Sequence, residues 1–209
     1  MISKQTPRRA EVKRKTRETS IRIEVDLVEP GRAEIRTGIG FLDHMLTALA
    51  VHGRLGLLVE AEGDLHVDQH HLVEDVGIVL GSAIREALGD DLRIQRFAHA
   101  YAPLDDALAR AVLDLSGRAY LHYGVAISRP LVGGFDTDLL REFFSALVSN
   151  AKINLHLDLI RGENAHHQIE ALFKATALSL REAVRRVEDL REVPSTKGTL
   201  TEREARRKA

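Results

Sequence analysis

The chain has 209 residues, is 44% hydrophobic and carries a formal net charge of −1, so it can bury a core as one domain or as two small fused halves. Its acids and bases are interspersed, leaving no basic face for nucleic acid and no acidic tail for a basic partner, and the absence of cysteine excludes disulfides, thiolate zinc sites, iron–sulfur clusters and a cysteine nucleophile. No stretch approaches the ~18 apolar residues of a membrane span and Met1 to Arg9 lacks the apolar core of a signal peptide, so a cytoplasmic location and a small substrate are expected.

In chain order, Ala10 to Thr19 reads as a charged edge strand carrying Glu18. Ile21, Ile23, Val25 and Leu27 then alternate with Arg22, Glu24 and Asp26, the period of two of a strand with one buried face. Glu29-Pro30-Gly31 turns the chain, and Arg32 to Thr37 returns as the next strand. Phe41 to Val51 has Leu42, Met45, Leu46 and Leu49 at helical spacing, with His44 at the edge of that stripe. Leu55 to Ala61 is a strand. Asp68 then caps a helix whose Leu72, Val76, Val79, Leu80, Ala83, Ile84 and Ala87 form a broad apolar face ended by Gly89. After a connecting stretch through Arg96, Tyr101 and Pro103 the order recurs: strands over 107–115 and 120–127, a helix over 136–149, a strand over 153–158, and a helix from Asn164 to about Val187.

The chain therefore reads as an α+β tandem duplication, strand-strand-helix-strand-helix twice, with the helices packed on one face of each sheet. The first half spans 8–95 and the second 96–190. A C-terminal segment follows over 191–209, whose charged end, Glu202 to Ala209, is expected to be disordered. Leu65-His66-Val67-Asp68 aligns with Leu155-His156-Leu157-Asp158 if the second copy inserts Leu159 to Glu163 before its cap.

One short pattern occurs twice: Asp68-Gln69-His70-His71-Leu72-Val73-Glu74 and Asn164-Ala165-His166-His167-Gln168-Ile169-Glu170. On a helix, positions i and i+4 share a face while adjacent positions point about 100° apart. His70 and Glu74 can grip one cation while His71 reaches another, and His166, Glu170 and His167 repeat the arrangement. A single such pattern is more often surface polarity than a site, but two copies, each behind a capping Asp or Asn, make coincidence a poor explanation. Superposing the two earlier helices places His44 against Glu142, which nominates both as further ligands. Pseudo-symmetry then groups His70, Glu74, His167 and Glu142 on one ion and His166, Glu170, His71 and His44 on the other. Nitrogen and oxygen ligands suit manganese, iron, cobalt or zinc.

The stretches Val67 to Ile78, Gly162 to Lys174, Phe41-Leu42-Asp43-His44-Met45-Leu46 and Pro194-Ser195-Thr196-Lys197-Gly198 resemble the imidazoleglycerol-phosphate dehydratase family, over Arg8 to about Leu200. The resemblance implies a ribosomal S5 domain 2-like fold and removal of water from imidazole-glycerol phosphate to give imidazole-acetol phosphate, in histidine biosynthesis. It also implies two Mn2+ ions per subunit, and a homo-oligomeric shell of about twenty-four subunits with metal sites between chains. The hydrogen removed lies beside an imidazole and is only weakly acidic, so Lewis-acid metals and a proton-shuttling carboxylate are both needed. By resemblance Glu18 is the shuttle, with Glu170 as the other catalytic carboxylate. Arg96, Arg118, Ser195 and Lys197 contact the phosphate, and Lys174 falls in the matched motif. Glu142 departs from the family, many of whose members have histidine there.

Two other readings fit paired metals: a dinuclear hydrolase that cleaves a phosphate ester, and a metal-storage shell without catalysis. Release of inorganic phosphate would mark the first; the second gives Glu18 and the Ser195 to Lys197 turn nothing to do. Two half-sites in the chain predict two bound ions. Elemental analysis of Mn2+-loaded protein should report two per chain, and one or none would refute the symmetric grouping.

Overall fold

Alternating apolar and charged residues build the two four-stranded sheets of the computed structural model, which describes residues 8–28, 32–89 and 93–187 together with Ser195. The first sheet holds β1 (Arg9–Lys15), β2 (Thr19–Asp26), β3 (Ala33–Arg36) and β4 (Gly56–Gly63) in the order β1-β2-β4-β3. The second holds β5 (Phe97–Leu104), β6 (Ala107–Asp114), β7 (Tyr120–Gly124) and β10 (Asn154–Arg161) in the matching order β5-β6-β10-β7, and β8 (Leu131–Val132) and β9 (Phe135–Asp136) form a small hairpin. Ile21, Ile23 and Val25 point into the core, whereas Arg22 on the other face pairs with Glu11 and Glu60. Burying each such aliphatic side chain stabilises by roughly 1.5–3 kcal/mol.

Four helices fill the space between the sheets: α1 (Gly40–Gly53) and α2 (His70–Leu88) lie on the first, α3 (Leu139–Ala151) and α4 (Ala165–Ala183) on the second. The helix pairs, however, cross between the halves, α1 packing on α4 and α2 on α3. A single cluster of buried side chains consequently runs through both halves, with Phe143, Phe144 and Phe173 in mutual ring contact. Among the described residues, no helix is long and apolar enough to cross a membrane.

Four sequence expectations are corrected. Residues 97–104, read as a connection, form β5: only Ala98 and Ala102 are well buried there, so the apolar alternation is faint, and Pro103 is tolerated because β5 is an edge strand. The strand over 32–37 does not return beside β2 but lies parallel to β4 at the opposite edge. Glu18 is not on the edge strand but in the turn after β1, where the Thr16 hydroxyl accepts hydrogen bonds from the Glu18 and Thr19 amides. Finally, 65–68 lies in a loop while 155–158 lies within β10, so their likeness is accidental; β10 corresponds to β4, and the longer connection to the histidine-pair motif is in the first half. Lys197 and the 202–209 tail lie outside the described residues.

The two crossing pairs differ in closeness. Laying one HHxxE copy on the other sets Gly77 and Gly81 of α2 against Phe173 and Ala177 of α4. A Cβ at Gly81 would lie 2.4 Å from the Leu147 carbonyl oxygen, and one at Gly77 2.6 Å from that of Phe143, so α3 approaches the backbone of α2 directly. Gly81→Ala should destabilise the metal-free protein by about 1–3 kcal/mol, the range for overpacking, in spite of alanine's higher helix propensity. Urea unfolding measures the loss.

Candidate metal centre

Both histidine pairs occupy the first turn of a long helix, because an Asx side chain just before each pair accepts amides that the helix leaves without partners. Asn164 accepts from the His166 and His167 N–H groups, and Asp68 accepts from that of His70 at 2.7 Å. Asp43, at the start of α1, takes the backbone and hydroxyl hydrogens of Thr37 and so fixes the entry to the helix that carries His44.

The α1–α4 crossing joins His44 of the first half to His166 and Glu170 of the second. Their ligand atoms lie within 4.8 Å of one another, and both His44 Nε2 and His166 Nε2 are 3.2 Å from Glu170 Oε2. The His44 and His166 rings face each other at 5.4 Å, and Phe41 packs edge-on against His166 at 5.3 Å. Two imidazoles and one carboxylate, all thiol-free, fit a borderline divalent cation that needs further ligands to complete its shell.

Burial alone would raise the Glu170 carboxyl. The Lys174 ammonium, donating to Oε1 at 2.7 Å one helical turn away, outweighs it and, with His44, holds the group at about 2. Lys174 also adds to the burial that lowers the nearby His52 imidazole. Lys174, whose part was open from its motif alone, is thus the cation paired with Glu170.

The other predicted ligands are distributed as follows. His70 Nε2 and Glu74 Oε2 share a helix face at 4.0 Å. Glu142 stands partly buried in the first turn of α3 and has no side-chain hydrogen bond among the described residues. His71 donates through Nδ1 to Asp64 Oδ2 at 3.0 Å, and His167 through Nδ1 to Asp106 Oδ1 at 2.6 Å. The structure therefore brings together three of the eight predicted ligands, His44, His166 and Glu170, as one convergent group; His71 is not among them. Glu18 is exposed beside His71, whose imidazole is raised chiefly by its bond to Asp64 and further by the Glu18 charge.

Of the predicted phosphate contacts, Arg96 is largely buried in a bidentate pair with Asp114 (2.7 and 3.3 Å), Arg118 is exposed in the turn before β7, and Ser195 is partly buried. Sequence reasoning missed Asp64 and Asp106. The signal for Asp106 was the acidic pair Asp105-Asp106 between two strands, which only the recognition of β5 turns into a hairpin tip facing α4.

The chain is similar in sequence and fold to proteins of one family. A family model described as imidazoleglycerol-phosphate dehydratase matches residues 37–180. The imidazoleglycerol-phosphate dehydratase of Salinibacter ruber is 53% identical over 195 residues, covering 93% of this chain and 96% of its own, and that of Streptococcus mutans is 51% identical over 193 residues, covering 92% and 100%. Among solved structures, the enzyme of Staphylococcus aureus superposes with a TM-score of 0.78 at 41% identity, covering 86% of this chain and 99% of its own. The enzyme of Pyrococcus furiosus, solved with (S)-C348, gives 0.78 at 39% identity, covering 90% and 100%.

The Lys174–Glu170 contact makes a pH prediction for the metal-free protein. A carboxyl held below its ordinary value of 4.5 contributes stability that is full above that value and is lost as pH falls toward the folded value of about 2. Lys174→Met removes the main lowering influence and leaves burial opposed by the neighbouring imidazoles, His44 first. Its acid limb of melting temperature against pH should move to higher pH than that of the parent. Coincident limbs would show that Lys174 does not hold the carboxylate.

Proposed function

Because the chain belongs to the imidazoleglycerol-phosphate dehydratase family and is a hydro-lyase of histidine biosynthesis, we propose that it dehydrates imidazole-glycerol phosphate at a centre of two Mn2+ ions per chain. The single observation that carries the metal reading is the convergence of His44, His166 and Glu170 from opposite halves. His44, His166 and Glu170 would hold one ion, and His70 and Glu74 with Glu142 contribute to the other. Bound there, the ions supply Lewis acidity and a template for the substrate's imidazole ring.

The chain's own residues do the rest. Lys174 keeps Glu170 anionic as a ligand. Glu18, exposed at the tip of the β1–β2 turn, moves the proton, since its carboxylate has no hydrogen-bond partner among the described residues and is free to meet substrate. Arg118, exposed and without a side-chain hydrogen bond among the described residues, supplies a cation for the phosphate, with Arg96, Ser195 and Lys197 as the other family-matched contacts. Three ligands from one chain do not saturate a six-coordinate ion. His71 and His167 stand apart from the convergent group, so a second copy of the chain completes each shell and the working form is a homo-oligomer of the shell type. A cytoplasmic location accords with a biosynthetic enzyme acting on a small phosphorylated substrate.

Turnover of imidazole-glycerol phosphate should require Mn2+ and stop on chelation, and Glu18→Gln should lower kcat at least ~10²-fold while retaining bound metal. Undiminished turnover in chelator would overturn the metal reading. Metal loss in Glu18→Gln would make Glu18 a ligand, not a proton carrier.

A further inference from the structure

His71 and His167 are each tied by a carboxylate, and the two carboxylates come from different places in the duplicated fold. In the second half it is Asp106, at the tip of the β5–β6 turn. Its Oδ1 accepts from His167 Nδ1, and its Oδ2 accepts from the Glu163 and Asn164 amides just ahead of α4. The strand registers fix its counterpart in the first half: Lys15 pairs with Ser20 as Pro103 pairs with Leu108, so the residue before β2, Glu18, matches the residue before β6, Asp106. Glu18 nevertheless makes no such bond. His71 is held by Asp64, which belongs to the longer loop between β4 and α2, six residues (64–69) against three (162–164) in the second half.

A carboxylate can only accept, so the bonded Nδ1 carries the hydrogen and, in the neutral imidazole, Nε2 keeps its lone pair. Neither Nε2 has a hydrogen-bond partner among the described residues, the nearest approach being that of Asp105 to His167 at 3.7 Å. We propose that Asp64 and Asp106 are positioning residues, each fixing its histidine as the Nδ1–H tautomer with Nε2 presented as a ligand, and that Asp64 does so in place of Glu18. The longer first-half loop thereby releases one of the two matched turn carboxylates from structural duty. The duplication keeps two locked histidines but leaves only one of the two matched turn acids, Glu18, open to substrate. The proposal rests on the metal reading above only for what Nε2 binds.

Asp106→Asn separates the alternatives. The amide oxygen satisfies the Glu163 and Asn164 N–H groups, so the amide nitrogen faces His167 and donates to Nδ1, which turns the ring to the Nε2–H tautomer. Long-range 1H–15N spectra of metal-free protein labelled with 15N-histidine, at a pH where the rings are neutral, report each tautomer directly. His71 and His167 should both show the Nδ1–H pattern in the parent. Asp106→Asn should convert His167 alone and Asp64→Ala should release His71 alone, each weakening one ion about 10–100-fold when Mn2+ binding is followed through the EPR signal of the free ion. Nε2–H rings in the parent, or a tautomer indifferent to both substitutions, would overturn the proposal. Parent protein with the expected tautomers but no affinity for Mn2+ would support it and sink the metal reading instead.

Discussion

The packing of α1 against α4 is the contact on which the candidate centre depends. Each HHxxE copy sits on a helix of one half, and the third convergent ligand, His44, sits on a helix of the other. Had each half closed on itself, His44 would have no route to Glu170, since the two are 126 residues apart in sequence. Crossing the helix pairs also fuses the two apolar faces into one core, so the same buried surface that stabilises the fold holds the ligand geometry. Rigid helices make that geometry more reproducible than loops could.

Within this frame, charge placement decides which groups are available. Glu170 is mostly shielded from water and close to two imidazoles, a setting in which a carboxyl would otherwise lose its charge. The ammonium of Lys174, on the next turn of the same helix, prevents this. The matching position in the first-half motif is Ile78, and Glu74, unlike Glu170, is well exposed to solvent. The two halves thus differ: Glu170 is shielded from water and paired with a cation on its own helix, whereas Glu74 has no lysine at the matching position and is half exposed.

Other departures from symmetry follow the same logic. Gly77 and Gly81 let α3 approach the backbone of α2 closely where α4 carries Phe173 and Ala177 at the matching positions, and the first half has the longer loop before its histidine helix while the second has a bulge in β10. Glu142, matched with His44 of the first half, puts a carboxylate oxygen where the other half has an imidazole nitrogen. Such differences give the two halves distinct donor sets on matching scaffolds.

The sequence by itself determined the pieces: the core strand through Ile21, Ile23 and Val25, the four helices, the duplication, and the two motifs with their capping Asp68 and Asn164, because each is encoded by local periodicity or by a side chain bonding its own neighbourhood. It also located Glu170, Lys174 and His44 as candidates. Only the tertiary structure decided what lies across the molecule. The faint alternation of β5 hid an edge strand whose turn carries Asp106, and the parallel pairing of β3 with β4 cannot be read from either strand alone. The meeting of His44 with Glu170, and the assignment of Asp64 and Asp106 to His71 and His167, depend on which helices cross and how long one loop is. Those are properties of long-range packing, and no local pattern of residues records them.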